Sequence, residues 1–185
     1  MKEMLRLGLV LFIVASISAL VLSYTNQITA PLIEQKSEEA GKQSRQAVLP
    51  EASEFKKIEG VDFGSDIVSE VYEGYSGSDI KGYVARTLPV GYSGTVEVIV
   101  GINLDGSISG VSIGTHTETP GLGSKASGEF KDQYQGMKTN VPAEVIKSGQ
   151  PKENEVVAIS GATITSRAVT TGINEAAKAV LEINK

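Results

Sequence analysis

The sequence predicts an α+β domain carried behind an apolar N-terminal helix. Three features carry that expectation: a charge-free run from Leu7 to Ile33, a β-hairpin pattern over Thr95–Thr115, and an amphipathic helix pattern over Ser166–Asn184. The chain has 185 residues, enough for one domain with a real core plus an appendage. Its 41% hydrophobic and 21% charged residues are globular values and exclude wholesale disorder. A net charge of −5 argues against nucleic acid as a partner, because phosphate binding needs a basic face. There is no Cys and His116 is the single histidine, so disulfides, thiolate nucleophiles, cysteine-held clusters and multi-histidine metal sites are all excluded. No metal is expected, and any redox chemistry requires an organic cofactor.

The first element is the charge-free run. A helix over Leu7–Thr25 is about 28 Å long at 1.5 Å per residue, close to the hydrocarbon thickness of a bilayer. Lys2 and Arg6 precede it and Glu34 is the next charge. The excess of positive charge before the span puts the N-terminus in the cytoplasm and the remainder outside. An uncleaved single-pass anchor in the cell membrane fits better than a cleaved signal peptide, since the run exceeds a signal h-region and Tyr24–Ala30 offers no small-x-small site. Beyond Lys2, Glu3 and Arg6 the chain carries 15 basic and 21 acidic residues, so the exported part is acidic.

Residues 34–54 follow as a polar juxtamembrane helix or stalk. Glu34–Ala47 is rich in helix formers and lacks large apolar side chains, and Pro31 stands where it would break or start a helix. Val48-Leu49-Pro50 ends the stalk. The domain then spans 55–185. Phe55–Ile58, Ile67–Tyr75 and Gly82–Leu88 read as strands, and Thr95–Ile102 is the richest in β-branched residues. Asn103-Leu-Asp-Gly106 is a hairpin turn signal, and Ser107–Thr115 returns antiparallel. Thr117–Ser124 is a loop, Ser127–Gln133 a short helix and Val156–Ile159 a buried strand. The final helix carries Val169, Ile173, Ala176, Val180 and Ile183 on one stripe, with Thr165 or Ser166 as its cap.

Two segments are candidates for chemistry. Ser160-Gly-Ala-Thr-Ile-Thr-Ser166 joins a strand to a helix start, where glycine admits a close ligand, hydroxyls donate and an anion is favoured. It lacks the Gly-Lys-Ser/Thr of a Walker loop, and helix capping alone would also account for it. His116-Thr-Glu-Thr-Pro-Gly-Leu-Gly123 is a turn-rich loop directly after the hairpin; an ordinary surface loop is the alternative reading. His116 as a general base beside a hydroxyl nucleophile lacks a second triad element.

HTETPGLG followed about forty residues later by SGATITS resembles the FMN-binding domain of the Rnf complexes and of the sodium-pumping NADH:quinone oxidoreductases. With an N-terminal anchor and a polar helix ahead of one such domain, the chain is similar to the RnfG family; the corresponding flavoprotein of the quinone reductase, NqrC, is similar but longer. The resemblance covers most of the chain, with its core motifs over 91–179. It implies FMN attached covalently, by a flavin transferase, through a phosphoester on Thr163. Ser160, Gly161, Ala162, Ile164, Thr165 and Ser166 would surround that ester, and His116, Glu118, Thr119, Leu122 and Gly123 would line the flavin pocket. The family's motif carries an Asp six residues before the acceptor, where this chain has Val157.

The resemblance further implies a flavin electron carrier in a membrane complex that moves electrons between ferredoxin and NAD and couples them to sodium or proton translocation. Its partners would be the complex's other integral membrane subunits. The chain alone holds no complete active site, and one span without intramembrane charge is no pump. Two other readings stand beside it: a stand-alone exported flavoprotein of another electron-transfer chain, and a flavin-free scaffold in which Val157 marks decay. A hydrolase built on His116 is the most distant.

Overall fold

The computed structural model describes residues 2–61 and 63–183. In chain order the elements are α1 (Lys2–Val48), β1 (Glu54–Lys57), β2 (Val68–Ser76), β3 (Asp79–Thr87), β4 (Val96–Asn103), β5 (Ile108–His116), two 3-10 helices (Gly123–Ser127 and Glu129–Tyr134), β6 (Glu144–Ile146), β7 (Glu155–Val157) and α2 (Thr163–Ile183). They form two compact units, Met1–Lys42 and Gln43–Lys185. The class is α+β, as the sequence predicts.

The first unit lies within α1, a helix long and apolar enough to cross a membrane, with none of its apolar window buried by the protein. Pro31 sits inside this helix rather than at an end. Proline removes one backbone donor and one turn's bond, and the good helix formers on either side carry the helix past it.

The second unit is a five-stranded antiparallel meander, in the order β1-β2-β3-β4-β5, with a separate parallel pair β6–β7. The expected hairpin is present: β4 and β5 pair antiparallel, with Gly101 opposite Gly110. α2 lies on one face of the sheet. Val169, Ile173, Ala176 and Val180 are buried there with Val96, Val98, Val100 and Ile102 of β4, and Ile183 packs at the edge of the same core. Alternation along β4 sends Ile99 to the opposite face, where it meets Val48, Leu49, Ala52 and Val84. β4 is therefore covered on both faces, which is why it reads as a continuous apolar run instead of an alternating one.

The second face has a specific seat. Gly74 of β2 pairs with Gly82 of β3, and Gly101 of β4 pairs with Gly110 of β5. A Cβ on Gly74 would lie 2.5 Å from Leu49 Cδ2, and one on Gly101 would overlap the Val48 carbonyl oxygen. The missing side chains let the chain at Val48–Leu49 press onto bare sheet.

Two local expectations shift, and one strand forms that the sequence does not announce. α2 starts at Thr163, so Thr165 and Ser166 lie inside its first turn rather than capping it. The short helix after the loop is two 3-10 segments. β6 carries no alternating pattern, being only three residues long, and forms because it pairs with β7.

Candidate functional site

Three segments converge at the start of α2. The first is the β3–β4 connection, a tight loop closed by Gly91 N–H donating to Gly94 O at 2.7 Å and Val96 N–H donating to Pro89 O at 2.9 Å. The second is the segment after β5. It is wound by Leu122 and Ser124 N–H groups that both donate to Thr119 O at 3.2 Å, and by Gly121 N–H donating to the Ser124 hydroxyl at 2.9 Å. The third is the turn between β7 and α2. Here Gly161 has φ +77°, a left-handed conformation that glycine takes without penalty, and Ala162 N–H closes the turn onto Ile159 O at 2.9 Å. Ser166 locks it from behind: its hydroxyl accepts from Ile159 N–H at 2.9 Å and donates to Ala162 O at 3.0 Å.

Between them lies a cleft of about 540 Å³, lined by Tyr92, Glu118, Thr119, Leu122, Gly123, Gly161, Ala162, Thr163, Ile164 and Thr165. That volume is in the range of cofactor clefts. Thr163 is the first residue of α2 and half-buried, so its hydroxyl stands beside the unpaired amides of the helix start. The rim is apolar and open: Tyr92 is 69% exposed and Ile164 55%.

Glu118 ties the three segments together. It is buried, and one carboxylate oxygen accepts from Ser93 N–H at 2.9 Å while the other accepts from the Thr165 hydroxyl in a short hydrogen bond. Two glycines make room for it. A Cβ on Gly91 would lie 2.6 Å from Oε1, and a Cβ on Gly123 would lie 2.6 Å from Oε2. Thr117 adds a second tie, its hydroxyl donating to Ser93 O at 3.2 Å.

Of the residues the sequence singles out, nine line this cleft: Glu118, Thr119, Leu122, Gly123, Gly161, Ala162, Thr163, Ile164 and Thr165. His116, Ser160 and Ser166 lie outside the lining. His116 turns away: its Nδ1 accepts from Glu118 N–H at 3.3 Å and its Nε2 lies 3.4 Å from the Ser127 hydroxyl. Ser160 is exposed at the turn and Ser166 is buried behind it. Tyr92 and Ser93 are the residues that sequence reasoning missed; the available signal was an aromatic inside a Gly-flanked turn, Pro-Val-Gly-Tyr-Ser-Gly, between two strands. Val157 lies in β7, and its backbone is clamped by the Gln133 amide through N–H to Oε1 at 2.8 Å and Nε2–H to carbonyl at 3.2 Å. Among the described residues no cluster of three or more His, Asp or Glu side chains could hold a metal.

A resident flavin would require a cleft of cofactor size, a helix start for an anionic phosphate and an apolar wall for a ring, and the lining supplies all three. Comparison with known proteins agrees. Residues 91–178 match the FMN-binding domain family, and residues 1–48 match the RnfG N-terminal region. The G subunit of the Na(+)-translocating ferredoxin:NAD(+) oxidoreductase complex of Acetobacterium woodii is 40% identical over 100% of this chain and 95% of its own length. The G subunit of the proton-translocating complex of Clostridium ljungdahlii is 32% identical over 92% of this chain and 88% of its own. Among solved structures, the C subunit of the Na(+)-translocating NADH-quinone reductase of Parabacteroides distasonis shares the fold, with a TM-score of 0.62 at 20% identity over 81% of this chain and 94% of that one. The chain therefore belongs to the RnfG family, the G subunits of the ion-translocating ferredoxin:NAD oxidoreductase (Rnf) complexes, and carries that family's FMN-binding domain.

Proposed function

We propose that this protein relays electrons through an FMN joined to Thr163 by a phosphoester. The observation that carries the reading is the position of Thr163: a hydroxyl on the wall of the cleft, at the first residue of α2, behind a turn of Gly161 and Ala162 that leaves it open to approach. The Thr163 hydroxyl is the nucleophile of its own modification. Its oxygen gains the bond to phosphorus, its proton is lost, and AMP leaves from the FAD that a flavin transferase supplies. The resulting phosphodiester is an anion, which the amides at the start of α2 stabilise. FMN supplies reversible electron uptake once bound. Glu118 and Gly123 shape the inner wall, while Tyr92, Leu122 and Ile164 form an apolar rim suited to a flat ring. His116, Ser160 and Ser166 support the lining from outside it.

α1 anchors the protein in the cell membrane as a single span. Lys2 and Arg6 hold the N-terminus on the cytoplasmic side, so the FMN domain lies outside, beside the complex's other membrane subunits. The electron donor and acceptor sites belong to those subunits. Covalent attachment keeps the flavin from diffusing away on that side.

The test is intact mass together with in-gel flavin fluorescence after denaturation, on wild type and Thr163→Ala from a host with an active flavin transferase. The expected wild type gains the mass of FMN less one water and fluoresces, and Thr163→Ala does neither. A dark, unmodified wild type overturns the reading and favours a flavin-free scaffold with Val157 at the changed motif position. A variant that keeps the full mass gain moves the ester to another hydroxyl.

A further inference from the structure

Glu118 has a property that its role as a tie does not require. It is 5% exposed and lines the cleft, yet among the described residues no Lys, Arg or His forms an ion pair with it. Its two hydrogen bonds both come from neutral donors, the Ser93 amide and the Thr165 hydroxyl. A neutral glutamine of the same shape would satisfy one of them equally well. Buried carboxylates normally sit against a cation, because an uncompensated charge in a low-dielectric wall is unfavourable. Lys125 and Arg167, the charged side chains nearest in sequence to the lining segments at Gly123 and Thr165, are themselves absent from the lining.

We propose that Glu118 is a potential-setting residue: a fixed negative charge in the cleft wall that makes the bound flavin harder to reduce. Adding an electron to a flavin beside a buried carboxylate raises the repulsion between them, and the weakly screening interior strengthens that effect relative to water. The partial positive charge at the start of α2 acts in the opposite sense, but the phosphoester on Thr163 occupies it. Glu118 also draws on the Thr165 hydroxyl rather than on the helix amides, so those amides stay available to the phosphate. The proposal rests on the FMN reading above.

The test compares full-length flavinylated wild type with Glu118→Gln, Glu118→Met and Glu118→Asp by spectroelectrochemical titration of the flavin, with intact mass reporting loading. Both neutral variants are expected to shift the midpoint to a more positive potential. Glu118→Asp, which keeps the charge and shortens the arm, is expected to stay near wild type. A loaded neutral variant with the wild-type potential overturns the proposal, as does an Asp variant that shifts as far as the Gln variant. If neither neutral variant folds, Glu118 is a structural tie and the proposal falls. A wild type that carries no flavin removes the FMN reading itself, which the mass alone distinguishes.

Discussion

Glu97 shows at the residue scale how this domain uses its charges outside the cleft. Its carboxylate accepts from Arg86 Nε–H at 2.6 Å and from Thr115 N–H at 2.8 Å, pinning β3, β4 and β5 side by side. Burial pushes its pKa up, but the Thr115 amide and the Arg86 guanidinium outweigh burial and hold it below the ordinary carboxylate range. In the unfolded chain the same group takes up a proton at the higher, ordinary value. Its contribution is therefore complete above about pH 4.5 and is lost as pH falls through the lower folded value. Unfolding free energy measured in urea across pH 3 to 7 should decline on the acid side, and Glu97→Gln should flatten part of that decline. An unchanged slope in the variant would remove Glu97 from the account. Residue-scale legibility is uneven. Thr163 and Gly161 stand in a motif contiguous in sequence, so they are readable. Ser93 is not, because it reaches the site through long-range bonds, its N–H donating to Glu118, 25 residues further on, and its carbonyl accepting from the Thr117 hydroxyl.

At the scale of elements, the long β-branched run of β4 and the apolar stripe of α2 were legible because burial imposes their periods directly on the sequence. β6 and the start of α2 were not. A three-residue strand holds no period, and Thr163 begins a helix whose first turn is set by the Gly161 conformation and the Ser166 bonds rather than by a capping side chain. The glycine seat on the second sheet face was also hidden, since Gly74, Gly82, Gly101 and Gly110 become neighbours only through strand register. Gly101 is its tightest point. The obstacle to a side chain there is the Val48 main-chain carbonyl, which no rotamer change can move aside. Gly101→Ala should destabilise the domain by about 2–3 kcal/mol, the upper part of the range for overpacking. A denaturant midpoint measures it, and a wild-type midpoint would mean that the segment at Val48 lifts off the sheet with little loss.

At the scale of the whole molecule, that seat decides where the second compact unit begins. The sequence draws a polar stalk to residue 54 and a domain from residue 55, because Glu34–Ala47 has no large apolar side chain. The second compact unit instead starts at Gln43, and Val48, Leu49 and Ala52 are buried within it at 1%, 0% and 1% exposure. They cover Val84 and Ile99, which are otherwise the floor of an open sheet face. Arg45 joins them, its guanidinium 4.3 Å from the Tyr72 ring centre. Burying a valine or leucine is worth roughly 1.5–3 kcal/mol each, so Val48 and Leu49 alone supply about 3–6 kcal/mol. A domain of this size holds only about 5–15 kcal/mol in total. A fragment of residues 43–185 should therefore unfold cooperatively as a stable unit. A fragment of residues 55–185 should be only marginally folded, and its bare patch around Val84 and Ile99 should bind a hydrophobic dye. Equal denaturant midpoints for the two would refute this, since they would require the sheet to be indifferent to losing its cover. The midpoints decide whether the last turn of α1 belongs to the domain's fold or merely connects to it.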